Sequence, residues 1–333
     1  MTQRSTLTDQ PESITPIESP PTVRACSAAD RRRLWTMIGL ALVLVLCFSG
    51  SLLEWIRAAS RSARYSHIFL VPFISAYLIW IRRDMLPRQF RTSPWGAVFA
   101  LFLGVLCVVL HWVNGAGAWP VRASDRLALL LFSFYAFLVA GGFLLLGSRL
   151  MKAAAFPMFF LLFILPMPTV MENLLEVFFQ HTSATAASWL FSLTGTTFFR
   201  EGLAFQLPGM TIEVAQECSG INSSYVLFIT SLIAGHLFLR SGRSRLLLAT
   251  IVIPLAIARN AFRIVTISLL CVHVDPAMIH SWIHRKGGPV FFALSLVPFF
   301  LLLVWLRRWE RGGEIGDRRS KMEDGGRGME DKG

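Results

Sequence analysis

A single cysteine stands where a polar stretch of the chain enters an apolar one. Cys218 lies in the segment Glu217-Cys218-Ser219-Gly220, directly before the apolar run Asn222–Leu239. At a helix start, unpaired backbone N–H groups and the positive end of the helix dipole favour an anion, and hence a thiolate. A thiolate attacks acyl carbons. Cys218 is therefore the candidate nucleophile, with Ser219 or Asn222 expected to cap the helix that follows.

Two arginines occur inside the next apolar run, Leu246–Val272. An arginine in hydrocarbon costs about 2.5–3.5 kcal/mol on insertion scales, so Arg259 and Arg263 are expected to face a protein interior or a polar cavity. Four residues apart, they share one helix face. Arg263 is 17 residues beyond Leu246, or about 25 Å along the helix, which predicts the same membrane depth as the cysteine. Alternatively, both snorkel to headgroups or pair with Glu213 or Asp275.

Two histidines precede the last apolar run. His280 and His284 lie in the segment His280-Ser281-Trp282-Ile283-His284, and an imidazole can accept or return a proton near neutral pH. Consecutive membrane helices joined by short connections usually lie next to each other in space. We therefore expect a thiol, a guanidinium and an imidazole to meet on one side of a membrane. Such a set suits acyl transfer through a thioester, with Arg263 stabilising the thiolate or the oxyanion.

The composition excludes an ordinary soluble protein. Of 333 residues, 54% are hydrophobic and only 16% are charged, whereas soluble domains carry about 25% charged residues. The net charge is +12, but the arginines stand between apolar runs, which indicates membrane topology and not nucleic-acid binding. The five cysteines are scattered without a CxxC pair, so neither a disulfide framework nor a metal site is expected, and no cofactor motif is present.

An all-α, multi-pass membrane protein with about eight transmembrane helices is predicted. With the amino terminus inside, the loops on that side hold 22 basic residues against 8 in the outer loops. This division favours both termini in the cytoplasm of a bacterial inner-membrane protein. The candidate spans are Leu34–Leu53, His67–Ile81, Trp95–Val113, Leu127–Gly147, Ala153–Val170, Asn222–Leu239, Leu246–Val272 and Pro289–Leu306.

The remaining segments fall outside this membrane domain, residues 34–306. Residues 1–33 and 307–333 have the polar composition of disordered cytoplasmic arms. Val177–Phe199 lacks charged residues but is rich in Ser and Thr, and we expect a helix at the outer interface in preference to a ninth crossing. Gly202–Val214 alternates apolar and polar residues around Pro208-Gly209, which predicts a short β-hairpin before the sixth span.

With these features, the chain resembles the exosortase/archaeosortase family of intramembrane cysteine transpeptidases. The resemblance covers about residues 60–306 and is most specific in the Cys-Ser-Gly-Ile and Asn-x-x-Arg elements. It is carried by Tyr65-Ser66-His67 with Trp80-Ile81-Arg82-Arg83, by Phe156-Pro157 through Pro166-Met167-Pro168, by Leu207-Pro208-Gly209 through Glu217-Cys218-Ser219-Gly220-Ile221, and by Asn260-Ala261-Phe262-Arg263-Ile264 with a His four residues before Gly288.

The resemblance implies a catalytic triad of Cys218, Arg263 and His284. His280 stays an alternative, because Pro289 stands where the family often has an aromatic residue. The resemblance also implies that the substrates are exported proteins with a carboxyl-terminal sorting signal. This signal comprises a short motif such as Pro-Glu-Pro, a membrane helix and an Arg-rich end. The acyl group would pass to a surface amine, polysaccharide or lipid-linked acceptor at the extracytoplasmic membrane face. The residues expected to contact substrate are Arg259, Asn260, Glu217 and Ser219.

Two other functions are compatible with the residues. A transporter or flippase could bind an anionic substrate through Arg259 and Arg263, near the Pro-interrupted fifth span. It would need the arginines but tolerate replacement of Cys218. A structural subunit of a membrane assembly would need neither arginine beyond folding.

Overall fold

The computed structural model describes residues 28–83, 86–87, 92–115, 122–214, 220–275 and 287–330. Helices dominate these ranges, with one small sheet and two 3₁₀ segments, Ala63–Phe69 and Leu161–Ile164. The α-helices are α1 (Ala28–Cys47), α2 (Ser49–Ser60), α3 (Val71–Ile81), α4 (Pro94–Gly115), α5 (Ala123–Leu145), α6 (Gly147–Ala153), α7 (Ala155–Phe160), α8 (Thr169–Leu193), α9 (Ile221–Phe238), α10 (Gly242–His273) and α11 (Gly288–Glu330).

Five described helices are long and apolar enough to cross a membrane: α4, α5, α9, α10 and the first part of α11. Two bent helix pairs raise that number to seven if each is one span. The pair α1–α2 bends by 71° and the pair formed by α6 with Ala155–Ile164 bends by 70°. The protein is thus a multi-pass membrane protein. The count of eight, which also needs the shorter apolar helix His67–Ile81, and the orientation stay predictions.

The long helix α10 forms the centre of the part that carries the candidate site. Its first half packs with α9 and α11 around the fully buried Leu227, Leu248 and Phe299. Its second half packs with α8 and the sheet around Ala261 and Phe205. The helix thus continues past the bundle into a cap built from α8 and the sheet, and the turn containing Arg259 and Arg263 lies at the junction.

The segment that follows α2 packs against α5 and the end of the 3₁₀ segment Leu161–Ile164. The Trp55 indole N–H donates to the Ile164 carbonyl at 2.8 Å, and its ring meets Tyr65 edge-on at 4.8 Å. Trp55 and Ile68 are buried together with Leu131 of α5. This packing fixes the 3₁₀ segment Ala63–Phe69, which carries His67, beside the end of the broken α6–α7 region.

Helix α8 starts earlier and ends earlier than the predicted Val177–Phe199. Asp125 of α5 accepts hydrogen bonds from the Thr169 backbone N–H at 2.7 Å and from its hydroxyl at 2.5 Å, satisfying a donor at the helix start. The polar residues Glu176, Gln180 and Ser183 share one buried face. These three polar residues therefore face the protein, whereas His181, Thr185 and Ser192 are exposed; the position of the helix at the outer interface stays a prediction.

The predicted hairpin is confirmed and belongs to a three-stranded antiparallel sheet. The strands are β1 (Phe199–Glu201), β2 (Ala204–Leu207) and β3 (Met210–Glu213), paired in that order. Gly209 adopts φ +83° in the β2–β3 turn, a backbone conformation that glycine accepts readily. Phe199 was predicted to be helical and lies in β1, because the chain turns at Gly195 (φ +67°) after α8 ends.

Helices extend into both segments that were predicted to be disordered arms. Helix α1 begins at Ala28 and α11 runs to Glu330, so helical residues lie within both 1–33 and 307–333. The division into a membrane domain with two solvated arms stays a prediction.

Candidate active site

Gly220 is the residue at which the cysteine-bearing segment meets the bundle. It precedes α9 with φ +71°, the left-handed region that L-residues with a Cβ seldom adopt. Its carbonyl accepts hydrogen bonds from the Ser224 backbone N–H at 3.0 Å and from the Ser224 hydroxyl at 2.8 Å. The helix cap is thus Gly220 itself, whereas Asn222, a predicted cap, lies inside the first turn of α9.

Arg259 ties α10 to this helix start. One of its terminal nitrogens, Nη2, donates to the Gly220 carbonyl and to the Ser224 hydroxyl, each at 3.2 Å. The side chain is only 8% exposed, which rules out snorkelling for Arg259. Its other terminal nitrogen, Nη1, is buried with no hydrogen-bond partner in the part of the chain that the structure describes. Arg259 therefore both fixes Gly220 and retains a donor.

Asn260 packs directly against Gly220. The amide side chain is 1% exposed, and a Cβ built on Gly220 would lie 2.5 Å from its Oδ1 and 2.6 Å from its Cγ. Only glycine leaves room for this contact. Arg259 and Asn260 thus hold the residue that follows Glu217-Cys218-Ser219 from two sides.

Replacement of Gly220 by alanine is expected to destabilise the protein. The left-handed backbone alone costs an L-residue about 1–2 kcal/mol, and the added methyl group would also displace Asn260. Gly220→Ala should therefore lower the midpoint of thermal unfolding of the detergent-purified protein. It should also impair any activity that depends on the neighbouring Cys218.

Gly39→Ala is the matched control, because a Cβ at Gly39 meets no atom within 4 Å. Within helix α1, alanine should be neutral or stabilising by about 0.5–1 kcal/mol. Equal midpoints for Gly220→Ala and the unmodified protein would contradict the tight fit of Asn260 against Gly220.

Arg263 and the start of α11 lie on the same stretch of α10. Arg263 is half-buried, one turn beyond Arg259. Its neighbour Phe262 contacts Phe291 in the first turn of α11, with ring centroids 6.1 Å apart. The beginnings of α9 and α11 therefore meet α10 at neighbouring turns. The expected meeting of a thiol, a guanidinium and an imidazole requires this arrangement of the three helices.

Five of the predicted site residues lie outside the described residues: Glu217, Cys218, Ser219, His280 and His284. The structure brings together their chain neighbours, Gly220 and the first turn of α11, around the turn of α10 that holds Arg259, Asn260 and Arg263. Substrate contact by Arg259 and Asn260 and catalysis by Arg263 stay predictions.

Comparison with known proteins identifies the family. A sequence model of the transmembrane exosortases matches residues 55–301, which include every part of the site described above. The chain belongs to the transmembrane exosortase family. No curated protein and no solved structure gives a significant match to it.

A pocket with several polar side chains in its wall, called the α9 pocket below, opens beside the start of α9 in this exosortase. His67 lines it and meets Tyr225 edge-on, with ring centroids 5.0 Å apart. The polar side chains in its wall are Tyr65, His67, Glu172, Asn222 and Tyr225.

Sequence reasoning assigned no role to His67, Glu172 or Tyr225. Tyr65-Ser66-His67 carried part of the family resemblance, which was a usable signal. No spacing rule connects this segment with Asn222, because 155 positions separate the two in the chain.

An apolar pocket adjoins the α9 pocket. Both are lined by Met167, Leu175, Ile221 and Tyr225. The apolar pocket extends along α9 to Phe228 and along α10 back to Val252, that is, away from Gly220 and into the bundle. The α9 pocket at the helix start, which carries the polar side chains, therefore adjoins a more apolar pocket deeper along the spans.

Proposed function

We propose that this exosortase family member is a cysteine transpeptidase of the bacterial inner membrane. It cleaves carboxyl-terminal sorting signals of exported proteins and transfers the released acyl group to an extracytoplasmic acceptor. Cys218 is the nucleophile, Arg263 stabilises developing negative charge, and His284 moves the protons, with His280 as the alternative.

The observation that carries the proposal is the attachment of Gly220 to the arginine-bearing turn of α10. Cys218 is two residues from Gly220, so their α-carbons are at most about 7.6 Å apart. Because Arg259 and Asn260 hold Gly220, the residue two positions after Cys218 is fixed about one helical turn from Arg263. The Phe262–Phe291 contact supports the approach of the histidine-bearing segment to the same turn.

The proposed reaction has two halves. The Cys218 thiolate attacks the scissile carbonyl carbon, and Arg263 stabilises the oxyanion that forms. The C–N bond then breaks, a proton from the histidine goes to the leaving amine, and a thioester remains on Cys218. In the second half the histidine takes a proton from the acceptor nucleophile, which attacks the thioester and releases the thiolate.

The two adjoining pockets suit a substrate with a short polar motif followed by a membrane helix. The α9 pocket would receive a side chain of the motif, with Glu172, Asn222 and Tyr225 in its wall. The apolar pocket along α9 and α10 would receive the first apolar residues of the helix. On the predicted orientation, the α9 pocket is nearer the outer face than the apolar pocket. The motif likewise precedes the membrane helix in the signal.

A reporter assay tests this function. An exported reporter ending in a motif–helix–Arg signal is co-expressed with the full-length protein, and its length is followed by immunoblotting. We expect signal-dependent shortening of the reporter, and no shortening when the motif is scrambled. A reporter that keeps its full length beside a folded, membrane-inserted protein would contradict the proposal.

The same assay distinguishes the two histidines. If His284 transfers the protons, His284→Ala should lower the initial rate of processing by about 10²–10⁴-fold, while His280→Ala should leave it within a few-fold. The remaining activity of His284→Ala should also lose its dependence on pH between about 6 and 8, where an imidazole titrates.

The opposite ranking of the two variants would assign the proton transfer to His280. Normal rates and an unchanged pH profile in both variants would exclude His280 and His284 from the reaction.

A transporter of an anionic substrate makes a different prediction for the cysteine. It would keep its activity when Cys218 becomes serine or alanine, whereas the transpeptidase would not. Arg259 already has a role that requires no transported anion, because its hydrogen bonds to Gly220 and Ser224 hold two helices together.

A further inference from the structure

A polar cavity lies at the other end of α9. Its wall comes from the carboxyl ends of α3 and α9, from the middle of α11 and from the start of α10. The 18 residues of α9 span about 27 Å, so this cavity and the Gly220 site are on opposite sides of the membrane domain. On the predicted orientation it faces the cytoplasm.

The charge of this cavity is strongly positive. Five arginines and one glutamate line it, a net formal charge of +4; they are Arg82, Arg240, Arg245, Arg307, Arg311 and Glu310. Glu310 accepts hydrogen bonds from the backbone N–H groups of Arg240 and Ser241 at 3.0 and 2.9 Å, so its carboxylate is committed to the start of α10. Arg245 is likewise committed, since it donates twice to the Leu239 carbonyl.

A buried histidine also lines the cavity. His236 is 5% exposed and stacks flat on Phe156, with ring centroids 3.8 Å apart and planes within 5°. Neither ring nitrogen has a hydrogen-bond partner in the part of the chain that the structure describes. Buried polar atoms are nearly always hydrogen-bonded, so a donor or acceptor within the cavity is expected to complete this site.

Aromatic side chains place the cavity at the level of lipid headgroups. Trp305 and Trp309 stack on each other with planes within 5°, and both are exposed, at 56% and 61%. Phe238, in the cavity wall, is exposed as well and lies beneath the Arg307 guanidinium at 6.0 Å. Exposed tryptophans next to arginines are typical of the membrane–water interface, where lipid phosphates lie.

We infer that this arginine cavity binds the phosphodiester of an acidic phospholipid. Arginines bind phosphate oxygens by paired hydrogen bonds, and basic pockets between spans on the cytoplasmic side suit anionic headgroups. The exposed apolar side chains beside the cavity would contact the acyl chains, which a free phosphate lacks. The inference is independent of the proposed catalytic function, because it concerns residues at the opposite end of α9.

Native mass spectrometry of the full-length protein in detergent tests this inference. The protein is incubated with phosphatidylglycerol or with phosphatidylcholine of the same acyl chains, and the retained lipid is measured. We expect preferential retention of phosphatidylglycerol, falling about tenfold in Arg307→Gln/Arg311→Gln because two cationic contacts are lost. The control Arg149→Gln/Arg308→Gln removes the same charge at exposed positions outside the cavity and should retain the lipid like the unmodified protein.

His236→Phe is the second variant, for use if the double variant does not purify. Phenylalanine keeps the stacking on Phe156 but cannot hydrogen-bond a phosphate, so the melting temperature should hold while retention falls. Equal retention of the two lipids, or equal retention by cavity and control variants, would overturn the inference. Displacement of phosphatidylglycerol by millimolar inorganic phosphate would overturn a lipid as the occupant.

Discussion

Cys218→Ala should abolish processing of the signal-bearing reporter. Without the thiol no thioester can form, and loss of a catalytic nucleophile commonly lowers rates by about 10³-fold or more. Cys218→Ser should be almost as inactive. A serine hydroxyl is far less ionised than a cysteine thiol, and it needs a general base placed differently from the one that serves a thiol. The measurement is the initial rate of reporter shortening at matched membrane levels of each variant.

Cys47→Ala is the matched control for this result. Cys47 is an exposed free cysteine at the end of α1, and its loss should leave processing unchanged. Normal processing by Cys218→Ala would remove the enzyme assignment and favour the transporter, for which only the arginines matter.

Arg263→Gln should lower the processing rate by about 10²–10³-fold, the usual effect of removing an oxyanion donor. Arg263→Lys should recover part of the rate, since it keeps the charge but loses the forked donor geometry. The binding of the signal should change much less than the rate. Single-turnover kinetics with excess protein separates the two quantities.

Arg259→Gln is expected to act through folding. It removes the hydrogen bonds to the Gly220 carbonyl and the Ser224 hydroxyl, and hydrogen bonds to charged groups contribute about 1.5–3 kcal/mol. Its thermal midpoint should therefore fall more than that of Arg263→Gln. A rate defect in Arg259→Gln with no loss of stability, and a purely structural defect in Arg263→Gln, would reverse the roles proposed for the two arginines.

The sequence predicted those parts of the fold that depend on local pattern. Alternation around Pro208-Gly209 predicted the hairpin, and long apolar runs predicted α4, α5, α9, α10 and α11. The limits of α8 were wrong because its start depends on Asp125, 44 positions from Thr169. Strand β1 was missed because three residues are too short for a periodic signal.

The candidate site was predictable in its residue types but not in its contacts. The cost of burying a guanidinium drew attention to Arg259, and the Asn-x-x-Arg pattern to Arg263. One partner of Arg259 is a backbone carbonyl 39 positions away, and every residue has a carbonyl, so the sequence could not indicate which one. The contact of His67 with the α9 pocket was equally unpredictable, because it depends on the packing of Trp55 and Ile68.

Capture of the acyl-enzyme tests the central claim most directly. The full-length protein is incubated with a signal peptide in the absence of an acceptor, quenched in acid, digested and analysed by mass spectrometry. We predict a peptide containing Cys218 that carries the amino-terminal substrate fragment, is released by hydroxylamine and is missing from Cys218→Ala. Substrate cleaved at the normal rate with an unmodified Cys218 throughout the time course, or the fragment attached to another residue, would contradict the account.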